Sequence, residues 1–244
     1  MNDTMRNNRQ QLFWGSIILL VLSGAVGCSK AGSSLTVTAV TYVSVINEAP
    51  YSSAVDIYLN GTLVSPTGGI APGEYSTQYG SVKPGTYTVD FKKAGTDTLL
   101  YEIPASSYDT SNFYTLILYN TAPGSAAVQA VKILDNFTQV TSTNAYYRFF
   151  NLSPDVPDAD LYMNGSIVQQ QRTPADNVDN LTYDEFQAVN PEAYNLQVKS
   201  SSTDSVLATL SSVPLAAGGV YTIFLNGTDK SANNLAISVL QASF

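Results

Sequence analysis

Histidine is absent from this 244-residue chain, and cysteine occurs once, at Cys28. Without histidine, the Ser-His-Asp and Cys-His nucleophile arrangements have no base, and the commonest metal ligand is missing. A single cysteine allows no intrachain disulfide, so the fold must rest on its cores. Basic residues are scarce. Eleven Lys and Arg stand against nineteen Asp and Glu, for a net charge of −8. That leaves no basic stripe to hold phosphates, which excludes a nucleic-acid partner. Neither a Ser-x-x-Lys, a glycine-rich phosphate loop nor a Cys-x-x-Cys is present. Beyond the N-terminus, no long stretch keeps a 3.6-residue apolar period.

What is present begins with the N-terminus. Arg6 and Arg9 precede the apolar run Leu12–Gly27, and Cys28 follows at once. A basic region, an apolar region and small residues before a cut make an export signal. The sequence "AVGC" (Ala25–Cys28) resembles a bacterial lipobox, with Ala25 where Leu is usual. The resemblance implies cleavage before Cys28 and lipidation of its side chain and new amino group. More than one acyl chain gives a stable anchor. Residues 1–27 then form the signal peptide, and residues 28–36 a lipidated, Gly/Ser-rich tether. Its eight residues after the cysteine span at most about 28 Å. Ser29 beside the anchor, rather than Asp, points to the outer membrane of a Gram-negative cell. Surface and periplasmic orientation both remain open.

The mature chain repeats itself. "DIYLNG" (Asp56–Gly61) returns as "DLYMNG" (Asp160–Gly165), 104 residues on. Asn47 and Pro50 fall on Asn151 and Pro154 at the same offset. Further on, "KPGTYTVDFK" (Lys83–Lys92) meets "NPEAYNLQVK" (Asn190–Lys199) after a three-residue insertion. "YTLILYN" (Tyr114–Asn120) likewise meets "YTIFLNG" (Tyr221–Gly227). Matches in order over most of the chain read as a tandem duplication.

Each repeated phrase is a strand entering a tight hairpin. Asn-Gly suits a type I′ turn, because both central residues need positive φ. Val55, Ile57 and Leu59 share one face, with Asp56 and Tyr58 on the other. Ala159, Leu161 and Met163 repeat the apolar face, and Asp160 and Tyr162 the polar one. The hairpin motif is thus Asp56, Tyr58, Asn60 and Gly61, then Asp160, Tyr162, Asn164 and Gly165. Sixteen Tyr and many short alternating runs between Gly, Pro and Asn turns suit β-structure. The expected fold is all-β: two tandem antiparallel β-sandwich domains, immunoglobulin-like or prealbumin-like. Expected boundaries are 37–138 and 145–244, with a short polar join that leaves the units touching or with limited freedom.

"NLSPDVPDADLYMNG" (Asn151–Gly165) resembles the signature of the domain-of-unknown-function 4397 family. The second copy carries Ser153, Pro154, Asp155, Pro157, Asp160, Tyr162, Asn164 and Gly165 of that pattern. The first copy keeps Asn47, Pro50, Asp56, Tyr58, Asn60 and Gly61, and lacks Ser-Pro-Asp and the second Pro. The resemblance implies two copies in a secreted or lipid-anchored protein. It implies no activity.

Four chemistries remain to weigh. Acidic loops can supply the six to eight oxygens calcium takes, which makes Asp155, Asp158, Asp160, Asp176 and Asp179 candidate ligands. Solvated loops and Asp turn caps explain the same residues. Asp158 and Asp160 share a strand face, and paired carboxylates alone can hydrolyse glycosides. The repeated Asp-Tyr face is either a sugar-binding surface or a structural one, through cross-strand packing or a Tyr–Asp hydrogen bond that fixes the sheet. Finally, "DTL" (Asp97–Leu99) and "DSV" (Asp204–Val206) resemble an O-glycosylation motif of exported proteins, which would place sugar on Thr98 and Ser205. The same words suit a hairpin turn.

The expectation is a non-enzymatic, membrane-anchored envelope lipoprotein that binds, adheres or scaffolds, with a glycan or an envelope protein as partner. A structural spacer or assembly subunit is the alternative. A carboxylate- or metal-dependent glycan-active enzyme comes third. No cofactor is expected, calcium being the one candidate.

Overall fold

The computed structural model describes residues 38–176, 181–229 and 234–243. The expected export signal, Cys28, the expected tether and Asp179 therefore lie outside the described residues.

The first repeat builds nine strands: β1 (Thr41–Glu48), β2 (Val55–Leu59), β3 (Thr62–Leu63), β4 (Glu74–Tyr75), β5 (Gly80–Val82), β6 (Gly85–Lys93), β7 (Leu99–Tyr108), β8 (Phe113–Asn120) and β9 (Val128–Asp135). The second builds β10 (Ala145–Asn151), β11 (Ala159–Met163), β12 (Ser166–Arg172), a 3₁₀ turn (Leu181–Asp184), β13 (Gln187–Val189), β14 (Ala193–Ser200), β15 (Val206–Pro214), β16 (Val220–Asn226) and β17 (Ala236–Gln241). Each repeat folds into two sheets. In the first they run β4-β1-β8-β9, with β5 also on β1, and β3-β2-β6-β7. In the second they run β13-β10-β16-β17 and β12-β11-β14-β15.

A two-residue hairpin closes at both Asn-Gly sites. Leu59 pairs with Thr62 and Met163 with Ser166, which leaves Asn-Gly as the two-residue loop. Asn60 (φ +47°), Gly61 (+77°), Asn164 (+48°) and Gly165 (+81°) all lie in the left-handed region. Val55, Ile57 and Leu59 are buried, as are Ala159, Leu161 and Met163. The sheets are antiparallel except for one pair in each repeat. β1 runs parallel to β8, and β10 parallel to β16. Between them the chain passes through the opposite sheet, β2, β3, β6 and β7 in the first repeat and β11, β12, β14 and β15 in the second, so it returns by a crossover rather than a hairpin.

Three apolar layers stack between four sheets. One fills the first repeat, around Val55, Ile57, Val89, Phe91 and Leu116. One fills the second, around Phe149, Leu161, Val198 and Ile223. The third lies between the repeats and joins Ile46, Ile117, Tyr119 and Ile133 to Phe150, Leu152 and Phe224. Ile46 faces Ile117 across the β1–β8 ladder, and Phe150 faces Phe224 across β10–β16. These pairs occupy equivalent positions in the duplication. The two inner sheets are consequently covered on both sides, which is why β8, β10 and β16 are buried almost without interruption. Each fully buried aliphatic or aromatic side chain there contributes roughly 1.5–3 kcal/mol.

Tyrosine does much of the fastening. Tyr114 accepts the Asp109 N–H at 3.1 Å, and its repeat equivalent Tyr221 accepts the Ala216 N–H at 2.9 Å. Tyr87 donates to the Lys83 carbonyl and Tyr194 to the Asn190 carbonyl, each at 2.9 Å.

Candidate functional site

The Asp-Tyr face is built alike in both repeats. Asp56 is buried and accepts the Gly95 N–H at 2.8 Å, tying β2 to the β6–β7 turn. Asp160 accepts the Gln171 N–H at 2.8 Å and the Ser201 hydroxyl at 2.6 Å. The tyrosines lie under lysines instead. Lys92 Nζ stands 4.6 Å from the Tyr58 ring centre, and Lys199 Nζ stands 4.6 Å from that of Tyr162. Lys92 pairs with Asp97 at 3.6 Å and Lys199 with Asp204 at 2.9 Å. Both ion pairs are open to solvent at their acidic end, so each adds little stability. Of the two structural readings, these contacts are those of cross-strand packing, with other partners in place of a Tyr–Asp hydrogen bond. Strand alternation set Asp and Tyr on one face, but the adjacent turn supplied an N–H for Asp56 and a hydroxyl for Asp160, and the neighbouring strand supplied an ammonium for each Tyr.

Asn60 and Asn164 do more than permit a turn. Asn60 donates to the Thr86 carbonyl at 3.0 Å and accepts the Thr88 N–H at 2.9 Å. Asn164 accepts the Asn195 N–H at 2.9 Å and donates to Glu192 at 3.3 Å. Each amide therefore clips its hairpin to the next strand. Thr98 and Ser205 are exposed at equivalent β6–β7 and β14–β15 turns. There the Lys93 N–H meets the Thr98 carbonyl and the Ser200 N–H meets the Ser205 carbonyl, each at 2.9 Å.

The calcium candidates are dispersed. Asp155 accepts the Tyr51 hydroxyl at 2.8 Å and the Asp229 N–H at 3.0 Å. Asp176 pairs with the Arg172 guanidinium at 2.7 Å and takes the Thr173 N–H at 3.0 Å. Asp158 sits in the turn before β11, and its carbonyl accepts from Ser201 at 3.4 Å. No three acidic side chains converge as a metal-ligand group among the described residues.

The most elaborate polar cluster lies where the repeats meet, and no sequence motif marks it. Arg148, 2% exposed, brings Nη1 to 2.7 Å from Asp135, whose side chain is also withdrawn from solvent. Arg148 donates to Thr222 at 3.0 Å and to Thr115 at 3.3 Å, and these threonines are repeat equivalents. Its guanidinium stacks 4.4 Å from the Phe186 ring centre. Asp135 further accepts the Tyr79 hydroxyl at 2.7 Å and the Thr115 hydroxyl at 2.6 Å. Burial and the Asp135 charge push the Tyr79 phenol well above its ordinary range. Beside the cluster, burial raises Asp184 to about 6. A second buried carboxyl, Glu48, receives the Asn226 amide at 3.2 Å beside a cavity of about 240 Å³ flanked by Pro50, Pro72 and Asn234. Burial lifts Glu48 to about 7, against the smaller opposing effect of the Asn226 hydrogen bond. Arg148 and Asp135 carried no repeat signature: their counterparts, Ser44 and Ala242, are uncharged.

Fold and repeat together define a two-copy β-sandwich protein. The chain belongs to the family described as Domain of unknown function (DUF4397), whose profile matches residues 41–162 and 145–243. No curated protein matches the chain. Among solved structures, one similar chain is CBMbc, a family CBM26 module from Eubacterium rectale Amy13K, crystallised in complex with maltoheptaose. The likeness covers 82% of this chain and 95% of that one at 9% identity, and its TM-score of 0.25 is too low to carry an argument.

Proposed function

We propose that this chain is a non-catalytic binding module, held at the outer membrane of a Gram-negative cell by lipid on Cys28. The observation that carries the reading is the join between the repeats. A shared apolar layer and the buried Arg148–Asp135 pair make both copies one stiff body. Such a body, set on a short Gly/Ser-rich tether, suits the display of a surface to a partner. The absence of histidine and the single cysteine support a non-catalytic role. A glycan or an envelope protein is the partner class proposed.

Two measurements test this. Radiolabelled palmitate fed to producing cells should enter the wild-type chain and not Cys28→Ala; equal labelling of both overturns the anchor. Protease shaving of intact cells, read with an antibody to the second repeat, then decides orientation. Digestion with an intact periplasmic control favours adhesion. Protection until the outer membrane is opened favours periplasmic partners.

The same stiff join also suits a spacer or assembly subunit. That reading expects a co-purifying envelope protein after cross-linking and no saturable ligand.

A further inference from the structure

The two sandwiches are not equally filled. Between the sheets of the first repeat lies a cleft of about 460 Å³, walled by Val43, Val45, Ile57, Leu59, Ile70 and Leu116. At the corresponding positions of the second repeat the side chains are larger. Tyr147 stands for Val43, Phe149 for Val45 and Gln169 for Ser65. Tyr147 and Phe149 are buried in the core of the second repeat. The Tyr147 hydroxyl and the Gln169 amide both donate to Gln187 Oε1, at 3.3 and 3.0 Å, which closes the mouth. The covering strand differs as well. β12 has seven residues, whereas its counterpart β3 has two. In the first repeat the Gly/Pro-rich loop that follows β3 pairs with β2 instead, through an antiparallel bridge between Ile70 and Val55.

We propose that this cleft binds an uncharged, mostly apolar small molecule carrying one hydrogen-bonding group. The proposal deepens the binding reading and rests on it. Its volume falls in the roughly 300–1,000 Å³ range of small-molecule sites, which combine apolar walls with a few placed polar groups. Asp, Glu, Lys and Arg are all missing from the lining, so a charged ligand would lose its hydration without a partner. The polar groups are neutral. Ser65 accepts the Ile57 N–H at 3.1 Å, and Ser76 accepts the Val45 N–H at 3.3 Å. A hydroxyl that accepts still has its own proton to donate, so each serine can address a ligand oxygen. Close packing is the rule inside proteins, and the second repeat buries larger side chains, Tyr147 and Phe149, on the same framework. The first repeat keeps an opening that two larger side chains would close.

The test copies the second repeat into the first. The neutral dye N-phenyl-1-naphthylamine is titrated into the purified full chain and into Val43→Tyr/Val45→Phe. The expected result is saturable uptake of one equivalent by the wild type, weakened at least tenfold in the variant. Absent or non-saturable uptake by the wild type, or equal uptake by both, overturns the proposal. Should the variant fold poorly, a neutral alkyl diazirine is photoactivated on the wild type and mapped by mass spectrometry. Label within residues 43–82 or at Leu116 supports the cleft, and label confined elsewhere overturns it. Binding of the chain to envelope extracts is measured alongside. Undiminished extract binding with no dye uptake removes the cleft and leaves the broader reading standing. Dye uptake without extract binding does the reverse.

Discussion

Arg148, early in the second repeat, and Asp135, the last strand residue of the first, meet at 2.7 Å with both side chains out of solvent. The pair crosses the boundary between copies. Thr115 and Thr222 flank it as equivalents, one from each repeat. Breaking a buried pair strands the remaining charge, so Arg148→Met should cost about 3–5 kcal/mol. Replacing both, with Asp135→Asn added, should cost less than the sum of the single changes. A double-mutant cycle by urea unfolding checks this; additive losses would mean the charges do not interact.

The shared layer predicts cooperativity. Ile46, Ile117, Phe150 and Phe224 belong to one cluster, so neither repeat can unfold without exposing its neighbour. Calorimetry should show one transition for the wild type. Phe224→Ala should lower its midpoint and cost roughly 3–5 kcal/mol, the range for removing a buried aromatic. Two well-separated transitions in the wild type would contradict the common core.

Glu48 predicts a pH dependence. Its carboxyl titrates near 7 when folded and near 4.5 in its ordinary state, because burial penalises the charge. Between those values the folded chain holds more protons than the unfolded one. The stabilising contribution is thus complete below about pH 4.5 and is lost as pH rises through 7. The change is on the order of 3 kcal/mol. Glu48→Gln should flatten the upper part of this curve. Asp184, raised to about 6 chiefly by burial, should keep a slope of the same sign between about 4 and 6. Urea melts from pH 4 to 8 read both; an unchanged slope in the variant would exclude Glu48.

The hairpin clips are testable singly. Asn60→Ala removes two hydrogen bonds and places Ala at φ +47°. A loss of about 1–2 kcal/mol is expected from strain and lost bonding together. Gly61→Ala meets open space, so its cost of roughly 1 kcal/mol is conformational alone. Thermal melts compare the two, and the larger loss should fall at Asn60.

Tyr58→Thr and Tyr162→Thr separate packing from recognition. Each removes a lysine–ring contact from a half-buried tyrosine, worth about 0.5–1 kcal/mol or somewhat more. A drop of that size without change in extract binding assigns the face to structure. Lost binding with stability kept assigns it to a partner.

Thr98 and Ser205 occupy exposed, equivalent turns. If the motif is read by the host, the intact mass of the chain purified from its host should carry sugar that Thr98→Ala/Ser205→Ala lacks. A polypeptide-plus-lipid mass without sugar would leave these residues as turn formers.

The strands, the turns and the duplication were legible because they depend on local chemistry. Alternation at Val55, Ile57 and Leu59 names a half-buried strand, and Asn60-Gly61 names its turn without outside help. The family signature was legible for the same reason. The roles of Asp56 and Asp160 were not, because their partners, the Gly95 N–H and the Ser201 hydroxyl, lie 39 and 41 residues away. The continuous apolar run of β8 marks a strand covered on both faces, yet says nothing of what covers it.

From sequence alone came the all-β character, the two copies, the Asn-Gly hairpins and the exclusion of histidine chemistry. All follow from side-chain type and short-range spacing. Tertiary structure decided the rest. It brought Arg148 to Asp135, gave Glu48 its buried site, made one apolar layer common to both copies, and opened between Val43 and Leu59 a cleft that Tyr147 and Phe149 fill in the other repeat. These depend on which sheet faces which, and that is settled by packing many side chains at once rather than by any short stretch of chain.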